Sequence, residues 1–79
     1  MIIMYTKIGC PWCDEVRELL QEKKIGFEER EVILNDKYFK ELKDKSEQTR
    51  TPTFDIEGEI FVDLGREEAG EILKNKGLI

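Results

Sequence analysis

The stretch Ile2-Ile3-Met4-Tyr5-Thr6-Lys7-Ile8-Gly9-Cys10-Pro11-Trp12-Cys13 decides the fold. Its first four residues form a continuous apolar run, as expected of a strand covered on both faces. Thr6-Lys7-Ile8-Gly9 reads as a loop. Pro11 suits the first position of a helix, where its fixed φ and missing N–H cost nothing, so Cys10 falls at the N-cap. From there Val16, Leu19 and Leu20 recur at helical spacing, and Lys23, Lys24 and Gly26 supply a cationic end and a glycine stop.

Working outward, Phe27 to Leu34 has a weak strand signature that fits a partly exposed position near a sheet edge. Asn35 can cap a second helix whose apolar face holds Tyr38, Phe39 and Leu42, ending in the polar stretch Lys45 to Arg50. Thr53 to Ile56 and Ile60 to Asp63 flank Glu57-Gly58-Glu59, which predicts an antiparallel hairpin with Gly58 supplying positive φ. Arg66 to Lys76 places Ala69, Ile72 and Leu73 on one side and stops at Gly77. It reads as a last helix despite Gly70, which costs about 1 kcal/mol relative to alanine. The order β-α-β-α-β-β-α predicts an α/β architecture, a four-stranded mixed β-sheet flanked by three helices.

The 79 residues leave room for one domain spanning 1-79 and a modest core. Hydrophobic and charged residues each make up 39%, which suits a folded globule with a dense charged surface. The apolar run Met1 to Tyr5 is too short to cross a bilayer and lacks the pattern of a secretory signal, so no membrane association and a cytoplasmic location are expected. A net charge of −5 with interspersed cations argues against nucleic acid as a partner. A monomer is expected.

The chain contains no histidine, which removes Cys-His and Ser-His nucleophile pairs, a histidine base and mixed Cys/His zinc sites within one chain. Its only cysteines, Cys10 and Cys13, enclose a loop too short to restrain an unfolded chain as a structural disulfide would. Thiol–disulfide exchange needs one accessible thiolate and a second thiol close enough to resolve the mixed disulfide. At the N-cap, Cys10 can face the free N–H groups of Trp12 and Cys13 at the positive end of the helix dipole, which favours a thiolate. Cys13, in the first turn and more covered, suits the resolving role. Lys7 can add positive potential, whereas Asp14 and Glu15 oppose it. The same Cys spacing is half of a zinc site, but the other two ligands would have to come from a second chain. No metal and no bound cofactor are expected.

On Tyr5-Thr6-Lys7, Cys10-Pro11-Trp12-Cys13 and Thr51-Pro52 ahead of a hairpin, the sequence resembles the glutaredoxin family over nearly its whole length. The resemblance implies a thioredoxin-like fold and reduction of protein or glutathione-mixed disulfides, with glutathione as co-substrate and disulfide-containing proteins as partners. It implies that Thr51-Pro52 is a cis peptide facing the cysteines, where the Thr51 backbone pairs with substrate. Lys7 then meets the glutathione carboxylate, and Pro11 and Trp12 wall the site, Trp12 replacing the tyrosine common in the family. The family's Gly-Gly-acid stretch is here Val62-Asp63-Leu64-Gly65-Arg66-Glu67. One glycine remains, and the acidic contact falls to Asp63 or Glu67, of which Asp63 is the candidate. Similar short redoxins, including those that supply electrons to ribonucleotide reductase, are recharged by thioredoxin reductase, which gives a second electron source. A third reading is an iron–sulfur cluster held at Cys10 across a dimer.

Overall fold

A computed structural model describes residues 1–79. The elements run β1 (Ile2–Thr6), α1 (Pro11–Glu22), β2 (Glu28–Glu31), α2 (Asp36–Ser46), β3 (Thr53–Ile56), β4 (Glu59–Phe61) and α3 (Arg66–Asn75). The four strands form one mixed sheet in the order β2-β1-β3-β4, with β1 parallel to β2, antiparallel to β3, and β3 antiparallel to β4. The predicted α/β order is therefore the observed one, and β2 lies at an edge as its charged sequence implied.

The alternation of β1 splits the interior in two. Ile2 and Met4 point into the larger core with Val16, Leu19 and Leu20 of α1, Phe54 and Ile56 of β3, and Leu64, Ala69 and Leu73 at and in α3. On the opposite face Tyr5 meets Val32 and Leu42, with Tyr38 and Phe39 of α2 packed against them. Ile3, on that second face, is only partly buried, so the run is less completely covered than its composition implied.

Several boundaries differ from the sequence reading. Thr6, read as the start of the loop, pairs with Glu31 as the last residue of β1, and β2 is confined to Glu28–Glu31 rather than running from Phe27 to Leu34, because its partner β1 reaches no further. Helix α1 ends before Lys23, and the left-handed residue that stops it is Lys24 (φ 56°), not Gly26. The amide of Lys24 donates to the carbonyl of Gln21, and that of Ile25 to Leu20, which closes the end as a Schellman motif without glycine. The hairpin turn has two residues rather than three. Both Glu57 (φ 52°) and Gly58 (φ 91°) take positive φ, so Glu59 joins β4, which ends at Phe61 rather than Asp63. At the end of α3, Gly77 (φ 76°) does act as the stop.

Candidate active site

The β1–α1 loop delivers Cys10 to the N-cap of α1, with Pro11 opening the helix. The Cys13 amide donates to the Cys10 sulfur at 3.3 Å, a free helix N–H that supports negative charge there. No such bond reaches Cys10 from Trp12, which differs from the sequence expectation of two donors. The Thr51 hydroxyl also donates toward the Cys10 sulfur, at 3.6 Å, and the Thr51 carbonyl lies 4.0 Å from it. Two elements distant in sequence therefore converge on one sulfur.

Cys10 is partly exposed, whereas Cys13 is fully buried, and both are free thiols. Burial, aided by the hydrogen bond with Cys10, pushes the Cys13 thiol up to about 11. At neutral pH Cys13 therefore keeps its proton, while Cys10 is the sulfur that a substrate can reach.

A cleft of about 340 Å³ opens over Cys10, lined by Lys7, Ile8, Gly9, Cys10, Pro11, Trp12, Arg50 and Thr51. It thus gathers Lys7, Cys10, Pro11, Trp12 and Thr51 from the residues named from sequence. Trp12 is 63% exposed, so it forms a wall rather than core. Pro52 is buried behind the cleft, its peptide bond with Thr51 is cis, and its carbonyl accepts the Leu64 amide at 3.1 Å. Asp63 does not line the cleft. It pairs with Arg50 at 3.5 Å, the Arg50 side chain mostly and the Asp63 side chain half in solvent. Glu67 is exposed at the first turn of α3. Asp14, expected to oppose a thiolate, is engaged by Arg17 at 2.6 Å.

Sequence reasoning missed Arg50, a second cation beside Lys7 in the cleft. It also missed Gln48, which holds the loop leading to Thr51. Its side-chain oxygen accepts the Arg50 amide at 2.5 Å, and its nitrogen donates to Ser46 and Thr53. The third omission is Glu31, whose carboxylate accepts the Ile8 amide at 2.7 Å and the Leu34 amide at 2.6 Å. Against the cost of burial, the amides of Leu34, Ile33 and Ile8 hold the Glu31 carboxyl below the ordinary glutamate range.

An N-cap thiol over a buried partner, beside a cis-proline loop on a four-stranded mixed sheet, defines a thiol–disulfide redox protein of thioredoxin-like fold. A protein described as thioredoxin-like, solved by crystallography, superposes with a TM-score of 0.80 at 28% identity, each chain being covered completely. The glutaredoxin from Brucella melitensis superposes at 0.67 with 25% identity, over 96% of this chain and 79% of that one. In sequence, an uncharacterized glutaredoxin-like protein in the rubredoxin operon of Clostridium pasteurianum is 31% identical over 94% of this chain and 99% of its own length. The glutaredoxin family model matches residues 2–62, and the chain belongs to that family. No helix is long and apolar enough to cross a membrane.

Proposed function

We propose that the protein reduces protein and glutathione-mixed disulfides through a Cys10/Cys13 dithiol cycle. The observation that carries this reading is the asymmetry of the pair: Cys10 meets solvent with the Cys13 amide on its sulfur, while Cys13 is fully buried, which pushes its thiol up to about 11. The Cys10 thiolate attacks one sulfur of the substrate disulfide, and the other sulfur leaves as a thiolate and takes a proton. Cys13 then loses its proton and attacks the Cys10 sulfur, releasing the second substrate thiol and leaving a Cys10–Cys13 disulfide. The substrate gains two electrons and the protein loses two. An external thiol donor restores the dithiol, which suits a reducing compartment such as the cytoplasm.

Glutathione is the donor favoured by the cations Lys7 and Arg50 in the cleft, which suit the carboxylates of a peptide thiol. Asp63 favours a second reading. It lies 3.5 Å from Arg50 in an exposed pair instead of facing the cleft, and no Gly-Gly pair precedes α3, features that fit recharging by thioredoxin reductase. Coupled NADPH assays with a model disulfide separate the two. Turnover with glutathione and glutathione reductase supports the first, and turnover with thioredoxin reductase alone supports the second. Inactivity in both systems would refute the dithiol cycle.

A further inference from the structure

Where β1 ends at Thr6, the parallel ladder with β2 stops after the Val32 amide donates to the Thr6 carbonyl at 2.9 Å. In a continued ladder the Ile8 amide would find a carbonyl of the neighbouring strand. Instead the chain turns away through Gly9 (φ 78°) into the N-cap, and that amide needs another acceptor. The Glu31 carboxylate supplies it through one oxygen and holds the Leu34 amide, at the start of the β2–α2 connection, through the other. One side chain thus fastens together two loops that no backbone bond joins beyond Val32. The fastened loop is the cleft wall: Lys7, Ile8 and Gly9 all line it, and the Lys7 carbonyl accepts the Cys10 amide at 3.2 Å.

We infer that Glu31 is a positioning residue for the redox site, holding the Lys7–Gly9 wall in its substrate-binding shape through the Ile8 amide. The inference rests on the dithiol-reductase reading for its kinetic consequence, but the clamp itself is testable without turnover. Charge assistance makes both bonds strong for a surface pair, and Glu31 touches neither sulfur. Its loss therefore loosens substrate binding and leaves the intrinsic reactivity of Cys10, fixed by the α1 N-terminus, in place.

Two Glu31 variants and one remote control, read by hydrogen exchange, steady-state kinetics and Cys10 alkylation, decide the matter. In Glu31→Ala, hydrogen exchange at the Ile8 and Leu34 amides should quicken about tenfold or more, with the amides of β3 unchanged. Glu31→Gln keeps one good acceptor and should lie between Ala and wild type. KM for a disulfide substrate should rise about five- to tenfold in Glu31→Ala, with kcat and the rate of Cys10 alkylation by iodoacetamide within about twofold of wild type. Glu59→Gln, which breaks the remote pair with Lys76, controls for mere loss of stability and should leave KM alone. Unchanged exchange at Ile8 and Leu34 would overturn the clamp. Faster exchange with KM unchanged, or a fall in kcat matched by Glu59→Gln, would overturn its role in the site. A wild-type protein without turnover that still shows the exchange pattern would instead count against the dithiol cycle and leave the clamp standing.

Discussion

Cys10 and Cys13 sit one helical turn apart, one open to solvent and the other fully buried, and the proposed chemistry follows from that difference. In the reduced protein at pH 7, iodoacetamide should give a single adduct, at Cys10, detected by peptide mass spectrometry. Early labelling of Cys13 would reverse the assigned roles. The raised Cys13 thiol also has a stability consequence. Below the free-thiol value of about 8.5 both folded and unfolded chains keep the proton, and the contribution is fully present. From there to about 11 the unfolded chain ionises first, so the reduced fold should lose stability as pH rises. Urea midpoints from pH 8 to 11 should fall more steeply for the wild type than for Cys13→Ser, and equal slopes would discount the buried thiol. The N-cap place of Cys10 and the first-turn place of Cys13 were legible because local spacing sets them, whereas Lys7, which lines the cleft, was singled out by its place three residues before Cys10 together with the family resemblance. Glu31 and Gln48 were not, since their partners are backbone amides placed by folding, and a glutamate in Glu28-Glu29-Arg30-Glu31 looks like any other.

At the level of elements, the helices were readable to within a residue or two because their signals are local: Pro11 at the start of α1, Asn35 capping α2 through the amides of Lys37 and Tyr38, and Gly77 after α3. The misread end of α1 shows where local signals fail. Gly26 is present, yet the Schellman geometry falls at Lys24, because the packing of Ile25 and Leu20 in one core sets where the chain reverses. A lysine at φ 56° carries a Cβ penalty that glycine lacks. Lys24→Gly should therefore raise unfolding stability by about 0.5–1 kcal/mol, after the added freedom of the unfolded chain is counted, with disulfide reductase activity unchanged. Chemical denaturation checks it, and a loss of stability would mean that the lysine side chain contributes more than the strain costs. Strand β2 was the weakest reading for the opposite reason: Glu28–Glu31 has no apolar alternation, and only its pairing with β1 makes it a strand.

Across the whole molecule, the sheet edge at β2 is held by charge as well as by core. Arg17 of α1 grips Glu29 through two nitrogens, at 2.7 and 2.5 Å, and this bond is the main reason that the Glu29 carboxyl lies below its usual range, with Thr6 assisting. Despite the cost of burial, Tyr5 and Arg30 hold Glu41 low, and Lys45 with the Gly58 amide hold Asp55 low. These groups tie β2 to α1, α2 to β1 and β2, and β3 to α2, so the layers share a common sensitivity to acid. A depressed folded value means that the unfolded chain takes up protons first as pH falls, so the contribution is present above the unfolded carboxylate range near 4 and is lost below it. The wild type should therefore weaken steadily from about pH 5 to pH 3. Arg17→Met isolates one link: it should cost up to about 1 kcal/mol at pH 7, as expected for a partly exposed pair. That deficit should shrink toward zero as acid protonates Glu29 in both proteins. Urea midpoints for the two proteins at pH 7, 5, 4 and 3 test this. Because methionine keeps most of the Arg17 stem, a deficit that stays constant across that range would show that the pairing with ionised Glu29 is not what Arg17 contributes, and that the edge is held by contact rather than by charge.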